Sequence, residues 1–119
     1  MDKKGLAVRV VNLKEDMPLV REAMSRMQGE LRRAEGDGVK VVKFVHGYGS
    51  HGVGGEIRLA VQNGLLKRLS QGEVKAVIFG EDWRISNEMT WELLKRMPEL
   101  KGDSDLGRAN QGITVVVLR

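Results

Sequence analysis

The sequence predicts one α/β domain, in which strands and helices alternate along 119 residues. Two observations carry this prediction. Runs of β-branched apolar residues, which are typical of buried strands, recur along the chain. The segments between them place apolar residues at three- and four-residue spacing, as in amphipathic helices. The predicted order is β-α-β-α-β-(α)-β, and the length suits a single core over residues 1–119.

The first half of the chain is predicted to form a strand, a helix and a second strand. Residues 6–11 alternate apolar with polar side chains before an apolar pair, as in a strand. A helix is expected after Pro18 and should end near residues 36–38, because its apolar residues form one stripe. Residues 39–45 are almost all apolar, which predicts a strand covered on both faces and parallel to the first.

The second half is predicted to add two strands and two helices. A helix should begin near Gly54 or Gly55, although the pair Asn63-Gly64 leaves its end open. Residues 74–79 and 113–118 are expected to be strands, and a short helix is expected at about residues 87–97, before Pro98. The polar stretch between them is predicted to be a loop. Its acidic residues are interpreted as a solvated run rather than a metal site: Glu99, Asp103 and Asp105.

Composition limits the class of function. Twenty Lys and Arg against 16 Asp and Glu give a net charge of +4, which permits a polyanionic partner. There is neither a membrane-spanning apolar stretch nor a signal-peptide pattern, so we expect a cytoplasmic protein without a membrane partner. The absence of cysteine excludes disulfides and thiolate chemistry, and two histidines leave little for a metal site. We therefore expect neither a metal nor a cofactor.

A glycine-rich segment after the second predicted strand is the strongest functional signal. Residues 46–55 contain both histidines, His46 and His51, and five of the 15 glycines. Glycine lets the backbone adopt positive φ and approach a ligand closely. The N-terminus of the following helix offers unpaired N–H groups and a positive dipole end. The segment is therefore predicted to bind an anion such as a phosphate.

Two nucleotide-binding motifs resemble this segment but do not fit it. The spacing Gly47-x-Gly49-x-x-Gly52 satisfies the dinucleotide fingerprint. That fingerprint needs an acidic residue about 20 residues further on. Here the next strand ends before Glu81, about 30 residues away. The helix also lacks the Gly-Lys-Ser/Thr start of a P-loop. With both motifs excluded, the remaining interpretation is a loop whose backbone N–H groups could hold a phosphodiester.

The residues around the loop could serve such a site. His46 has the pKa range of a general acid or base, although it could instead cap the strand end by hydrogen bonding to the loop. Arg58, one turn into the helix, could pair with phosphate oxygens. Tyr48 could stack on a base or be an ordinary surface residue. Arg108 and Asn110, before the last strand, could reach back toward the glycine loop.

These motifs resemble those of the Smr (small MutS-related) domain family. The run from His46 to Gly49, followed by Ile57-Arg58, is similar to its His-Gly-x-Gly-x-Gly…Leu-Arg signature. Residues 112–118 are similar to its glycine followed by Thr-Val-Val-φ-Leu. The resemblance covers most of residues 6–118, with the helix near 87–97 as an insertion. It implies a two-layer sandwich with a four-stranded mixed sheet, similar to the C-terminal domain of a bacterial translation initiation factor. It also implies DNA or RNA binding, with nicking or ribonucleolytic cleavage in some members.

One family motif is altered in this chain. The Leu-Asp-x-His of the family aligns with Val11-Asn12-Leu13-Lys14. An amide and an ammonium group cannot shuttle a proton near neutral pH, whereas both can hold a phosphate. This change favours binding of nucleic acid over cleavage.

The sequence thus predicts a nucleic-acid-binding domain and leaves two alternatives open. The expected phosphate-binding residues are Asn12, Lys14, Gly47, Tyr48, Gly49, Ser50, His51, Gly52, Arg58 and Arg108. One alternative is an endonuclease in which His46 is catalytic. The other is an interaction module that uses the inserted helix and could assemble as a homo-oligomer. Trp83 and Trp91 lie around that helix, and core packing is the default explanation for each.

Overall fold

The computed structural model describes residues 7–16, 18–48 and 53–119. Its strands are β1 (Val8–Asn12), β2 (Val41–Val45), β3 (Val74–Phe79) and β4 (Ile113–Leu118). Its α-helices are α1 (Val20–Gly36), α2 (Val53–Ser70) and α3 (Glu88–Arg96). Short 3₁₀ helices occupy Gly80–Asp82 and Pro98–Gly102. The predicted β-α-β-α-β-(α)-β order is confirmed, and α3 forms where the short helix at about residues 87–97 was predicted.

The four strands form one mixed sheet in the order β1-β2-β4-β3. β1 and β2 are parallel, as predicted, whereas β4 runs antiparallel to both β2 and β3. Asn12 is paired with Val45 and Val45 with Ile113, while Phe79 lies opposite Thr114. The ends of β1, β2 and β3 and the start of β4 therefore meet at one end of the sheet, which we call the loop end.

Helices α1 and α2 cover one face of the sheet and form the main core. The sheet and these two helices form the two layers that the resemblance to the Smr family implies. The apolar stripe of α1 meets α2 and the sheet, because residues three and four apart in a helix share a face. The buried residues of this core include Ala23, Met27, Leu31, Val42, Phe44, Ile57, Val61, Leu65 and Val116.

Helix α3 and the segments around it cover the other face. Trp83, Leu94 and Leu100 pack there against Val41 and Val115. β2 is thus apolar toward both faces, which confirms the prediction made from its nearly continuous apolar run. Trp83 is a core residue, with 1% of its surface exposed. Within the described residues, no helix combines the length and the apolar character that crossing a membrane requires.

Helix α2 continues past Asn63-Gly64 to Ser70, so this pair does not end it. A Cβ on Gly64 would lie 2.8 Å from Cε of Met24 and 3.4 Å from Cε of Met27. Both methionines belong to α1. The glycine therefore allows α1 and α2 to pack closely, and this packing outweighs its poor helix propensity.

A second glycine allows close contact between two segments at the loop end. Gly80 is buried directly after β3, and a Cβ built on it would lie 1.7 Å from the carbonyl oxygen of Asn110. No side chain can be accommodated at that distance. The absence of a side chain at Gly80 thus sets the position of the segment that leads into β4.

We expect Gly80→Ala to lower the free energy of unfolding by at least about 2 kcal/mol, because the added methyl must displace backbone. Urea denaturation followed by circular dichroism would measure the loss. Gly102→Ala is the matched control, since a Cβ there meets nothing within 4 Å. Its effect should stay within about 0.5 kcal/mol. Equal stability of the two variants would contradict this account of Gly80.

Candidate functional site

Backbone hydrogen bonds join three segments at the loop end. The N–H groups of His46 and Gly47 both donate to the carbonyl oxygen of Gly112, at 2.9 and 3.0 Å. The N–H of Leu13 donates to the carbonyl oxygen of Val45 at 2.7 Å. The chain after β1, the start of the glycine loop and the residue before β4 are thereby held together.

Two glycines allow this close approach. Gly47 has a φ of +74°, which favours glycine. A Cβ on Gly112 would lie 3.2 Å from the Cα of Gly47. On the other side of the loop, Cδ of Lys14 is 3.4 Å from the position that a Cβ on Gly47 would occupy. The structure therefore brings together two of the predicted site residues, Lys14 and Gly47.

His46 is completely buried and both of its ring nitrogens have partners. Nδ1 lies 2.7 Å from the carbonyl oxygen of Gly47, and Nε2 lies 2.9 Å from Oγ1 of Thr114. A carbonyl oxygen can only accept, so we assign the proton to Nδ1. Nε2 then accepts from Thr114, whose oxygen in turn accepts from Nε2 of Gln62 at 3.4 Å. His46 thus hydrogen-bonds to the first residue of the loop, as expected for a histidine that caps the end of a strand.

The surroundings of His46 favour its neutral form. Burial lowers its pKa below the usual 6.5, and the nearby positive charge of Arg58 acts in the same direction. These effects outweigh the hydrogen bond to Gly47 and the negative charge of Glu81, which act in the opposite direction. The ring is therefore a neutral hydrogen-bonding group under physiological conditions.

Arg58 and Glu81 flank this buried histidine from α2 and from the turn after β3. Both side chains are partly exposed. Nε of Arg58 and Oε1 of Glu81 are buried and have no hydrogen-bond partner among the described residues. The rest of the Arg58 guanidinium retains donors that a ligand could use.

Asn12 and Lys14 follow β1 in a tight turn. Oδ1 of Asn12 accepts from the backbone N–H of Lys14 at 2.9 Å, so the amide shapes the turn. Arg26 of α1 donates to the carbonyl oxygen of Asn12 at 3.4 Å. Asn12 and Arg26 line a separate cleft of about 380 Å³ between β1 and α1. The side chain of Lys14 is exposed and lies on the glycine loop.

Tyr48 and Arg108 line the same cleft beside the glycine loop. Asn110 belongs to this cleft as well, and its Oδ1 accepts from the N–H of Gly112 at 2.8 Å. Arg108 and Asn110 thus share a cleft with Tyr48, and their reach toward the loop stays a prediction. Four predicted residues lie outside the described part of the chain: Gly49, Ser50, His51 and Gly52.

The interpretation of Asp103 and Asp105 as a solvated run is wrong. Both are half-buried and bind Lys43, which points from β2 into the second face of the sheet. Nζ of Lys43 donates to Oδ1 of Asp103 at 2.9 Å and to Oδ2 of Asp105 at 2.6 Å. Nε1 of Trp83 also donates to Asp103, at 2.9 Å. The carboxylates are drawn inward because a buried ammonium group requires opposite charge.

This ion pair shifts the pKa values of Lys43 and Asp105. Burial alone would lower the pKa of Lys43, but hydrogen bonds to Asp105 and Asp103 outweigh it and raise the pKa. Burial would raise the pKa of Asp105, but hydrogen bonds from Lys43 and Asn110 outweigh it and lower the pKa. Lys43 and Asp105 are thus both ionised at neutral pH. No cluster of three or more potential metal ligands occurs in the part of the chain that the structure describes.

The sequence contains a signal for this network. Lys43 is the charged residue within an otherwise apolar strand that was predicted to be covered on both faces. Such a lysine must find carboxylates, and Asp103 and Asp105 were available in the following loop. Thr114 and Gln62 were also missed, because nothing in the sequence showed that they would meet His46.

The comparison with solved structures identifies the fold. The chain is similar to the crystal structure of the Smr domain of Thermus thermophilus MutS2, with a TM-score of 0.58 and 21% identity. The alignment covers 93% of this chain and 98% of that domain. The chain has the Smr-domain fold. No family model matches the sequence, and no curated protein does.

The alignment spans nearly the whole of both chains, so the likeness concerns the complete fold rather than one part of it. At 21% identity the likeness concerns the fold. The site residues of this chain therefore have to be argued from its own contacts.

The buried, neutral His46 predicts a stability loss on mild acidification. The unfolded chain, with a histidine pKa of 6.5, binds a proton more readily than the folded chain. The contribution of the neutral His46 ring to the free energy of unfolding is therefore present above pH 6.5. It falls as the pH drops from there toward the lower pKa of His46 in the folded chain. We expect the free energy of unfolding to fall more steeply between about pH 8 and pH 5 in the wild type than in His46→Gln.

Urea denaturation at several pH values measures both slopes. The difference between them isolates His46, because the other titrating groups contribute to the wild type and to the variant alike. Parallel pH profiles would show that His46 titrates alike in the folded and unfolded chains.

We expect Lys43→Met to lower the free energy of unfolding by roughly 3 kcal/mol, because two half-buried carboxylates lose their counter-charge. Lys95→Met is the matched control, since its partner Glu92 and its own side chain are both more than half exposed. The control should cost less than about 1 kcal/mol. Chemical denaturation of both variants would test the difference, and an equal loss would refute the ion-pair account.

Proposed function

We propose that this chain is a nucleic-acid-binding Smr-type domain that holds backbone phosphates at the loop end of its sheet. The main supporting observation is the position of Lys14, whose side chain lies against Gly47 at the start of the glycine loop. A cation beside a glycine backbone suits a phosphate group. The Smr-domain fold supports nucleic acid, rather than a small anion, as the source of that phosphate.

Positive charges from three segments support this assignment. Lys14 follows β1, Arg58 lies in the first turns of α2, and Arg108 precedes β4. Lys14 and Arg108 are exposed, and Arg58 is partly exposed. The neighbouring Asp105 shares the charge of Lys43 with Asp103, so it repels an anionic chain less than a free carboxylate would. The net charge of +4 adds a favourable long-range contribution.

The proposal is binding without cleavage. A general acid or base must reach the phosphodiester, whereas the ring of His46 is buried and both nitrogens are occupied. The aligned Asn12 uses its oxygen within the turn. We assign His46 the role of a positioning residue that holds the Gly47 carbonyl. In this role it shapes the loop that receives the phosphate.

Electrophoretic mobility and anisotropy assays with single-stranded, hairpin and branched substrates test the proposal. We expect Arg58→Ala to weaken binding severalfold and to reduce the salt slope of the logarithm of affinity by about one. Lys67→Ala is the matched control. It removes the same charge from the same helix about 13 Å further along, beyond the Debye length of about 10 Å.

No binding at low salt, or binding unaffected by Arg58→Ala, would refute the proposal. A nicking assay with the same DNA and RNA substrates tests the endonuclease alternative. Cleavage that is abolished in a folded His46→Ala variant would establish that alternative instead.

A further inference from the structure

An open cleft of about 420 Å³ lies beside the first residues of the glycine loop. Its walls are Tyr48 on the loop side and, on the other, the segment before β4: Asp105, Arg108, Ala109, Asn110 and Gln111. Tyr48 is 56% exposed. The volume is at the lower end of the range for small-molecule sites, about 300–1,000 Å³, and suits one planar ring system.

The wall opposite Tyr48 is fixed in place before any ligand binds. Nδ2 of Asn110 donates to Oδ1 of Asp105 at 2.9 Å, and Oδ1 of Asn110 accepts from Gly112 at 2.8 Å. Ala109 adopts a φ of +53°, which non-glycine residues rarely adopt. A held wall lowers the entropy cost of binding.

The charges of the cleft suit an anionic strand. Oδ2 of Asp105 accepts from Nζ of Lys43, so its carboxylate is already paired. Arg108 is exposed on the same wall and supplies a positive charge. The phosphate next to a base in this cleft would therefore meet a cation rather than an unpaired carboxylate.

Only some lining groups remain available to a ligand. Both oxygens of Asp105 and both polar atoms of the Asn110 amide are engaged. Among the described residues, the side chains of Arg108 and Gln111 have no hydrogen-bond partner, so they can face a ligand. An aromatic ring, a guanidinium and an amide together can stack on a planar heterocycle and contact its polar edge.

From these features we infer that the Tyr48 cleft receives an unpaired nucleobase, which makes single-stranded nucleic acid the preferred ligand of the site. The inference rests on the proposed function, because the strand is held by its phosphates at Lys14 and Gly47. Bases within a duplex stack on each other and offer no free face to Tyr48. An aromatic side chain grips a single strand with little dependence on sequence.

Fluorescence anisotropy with three ligands of equal strand length tests this inference. The ligands are a short oligothymidine, the same backbone carrying abasic units, and a duplex; a second set uses the RNA equivalents. We expect removal of the bases to weaken wild-type binding about tenfold. Tyr48→Leu should bind base-containing and abasic strands equally, whereas Tyr48→Phe should retain the wild-type preference. All of these substitutions are at an exposed side chain.

The outcomes separate this inference from the proposed function. Equal affinity of the wild type for base-containing and abasic strands, with binding still dependent on Arg58, would overturn the base site and leave phosphate binding intact. A base preference that persists in Tyr48→Leu, or tighter binding to the duplex, would also overturn it. Absence of binding to every ligand at low salt would refute both. A preference for one set over the other distinguishes DNA from RNA.

Discussion

The ion pair between Lys43 and its two aspartates is the interaction on which the arrangement of the site depends. A buried ammonium group on a central strand must be compensated, and the compensation draws Asp103 and Asp105 onto the second face of the sheet. From Asp105 the contacts continue to Asn110 and then to Gly112. The carbonyl of Gly112 finally accepts from the start of the glycine loop. A charge in the sheet is thus linked to the first residues of the glycine loop through four consecutive contacts.

A second network reaches the same loop from the opposite face. Gln62 donates to Thr114, Thr114 to His46, and His46 to the carbonyl oxygen of Gly47. Gly47 is therefore fixed through its N–H by one network and through its carbonyl by the other. Such double fixation suits a residue whose backbone must be in place before a ligand arrives. It also explains why the histidine belongs to the interior although it precedes a loop.

The sequence predicted the order of elements well, because period and β-branching report directly on local structure. It also located the glycine loop, since glycines at the end of an apolar strand are a local signal. It failed where the answer depended on contacts distant in sequence. The end of α2 stayed open at Asn63-Gly64, because the packing of Gly64 against Met24 and Met27 of α1 is not visible in the local sequence. The acidic loop looked solvated because its partner, Lys43, lies 60 residues or more away. Burial of His46 likewise depends on Thr114, which lies far from it in the sequence.

The strand order has a consequence for folding. β4 follows every other strand in sequence but inserts between β2 and β3, in the interior of the sheet. Until it does so, the carbonyl of Gly112 and the hydroxyl of Thr114 are absent from the loop, and Gly47 has neither of its restraints. Contacts of such long sequence separation form late and slow the search for the native state. In a nascent or partly unfolded chain Gly47 would therefore be unrestrained, and competence to bind would coincide with completion of the sheet.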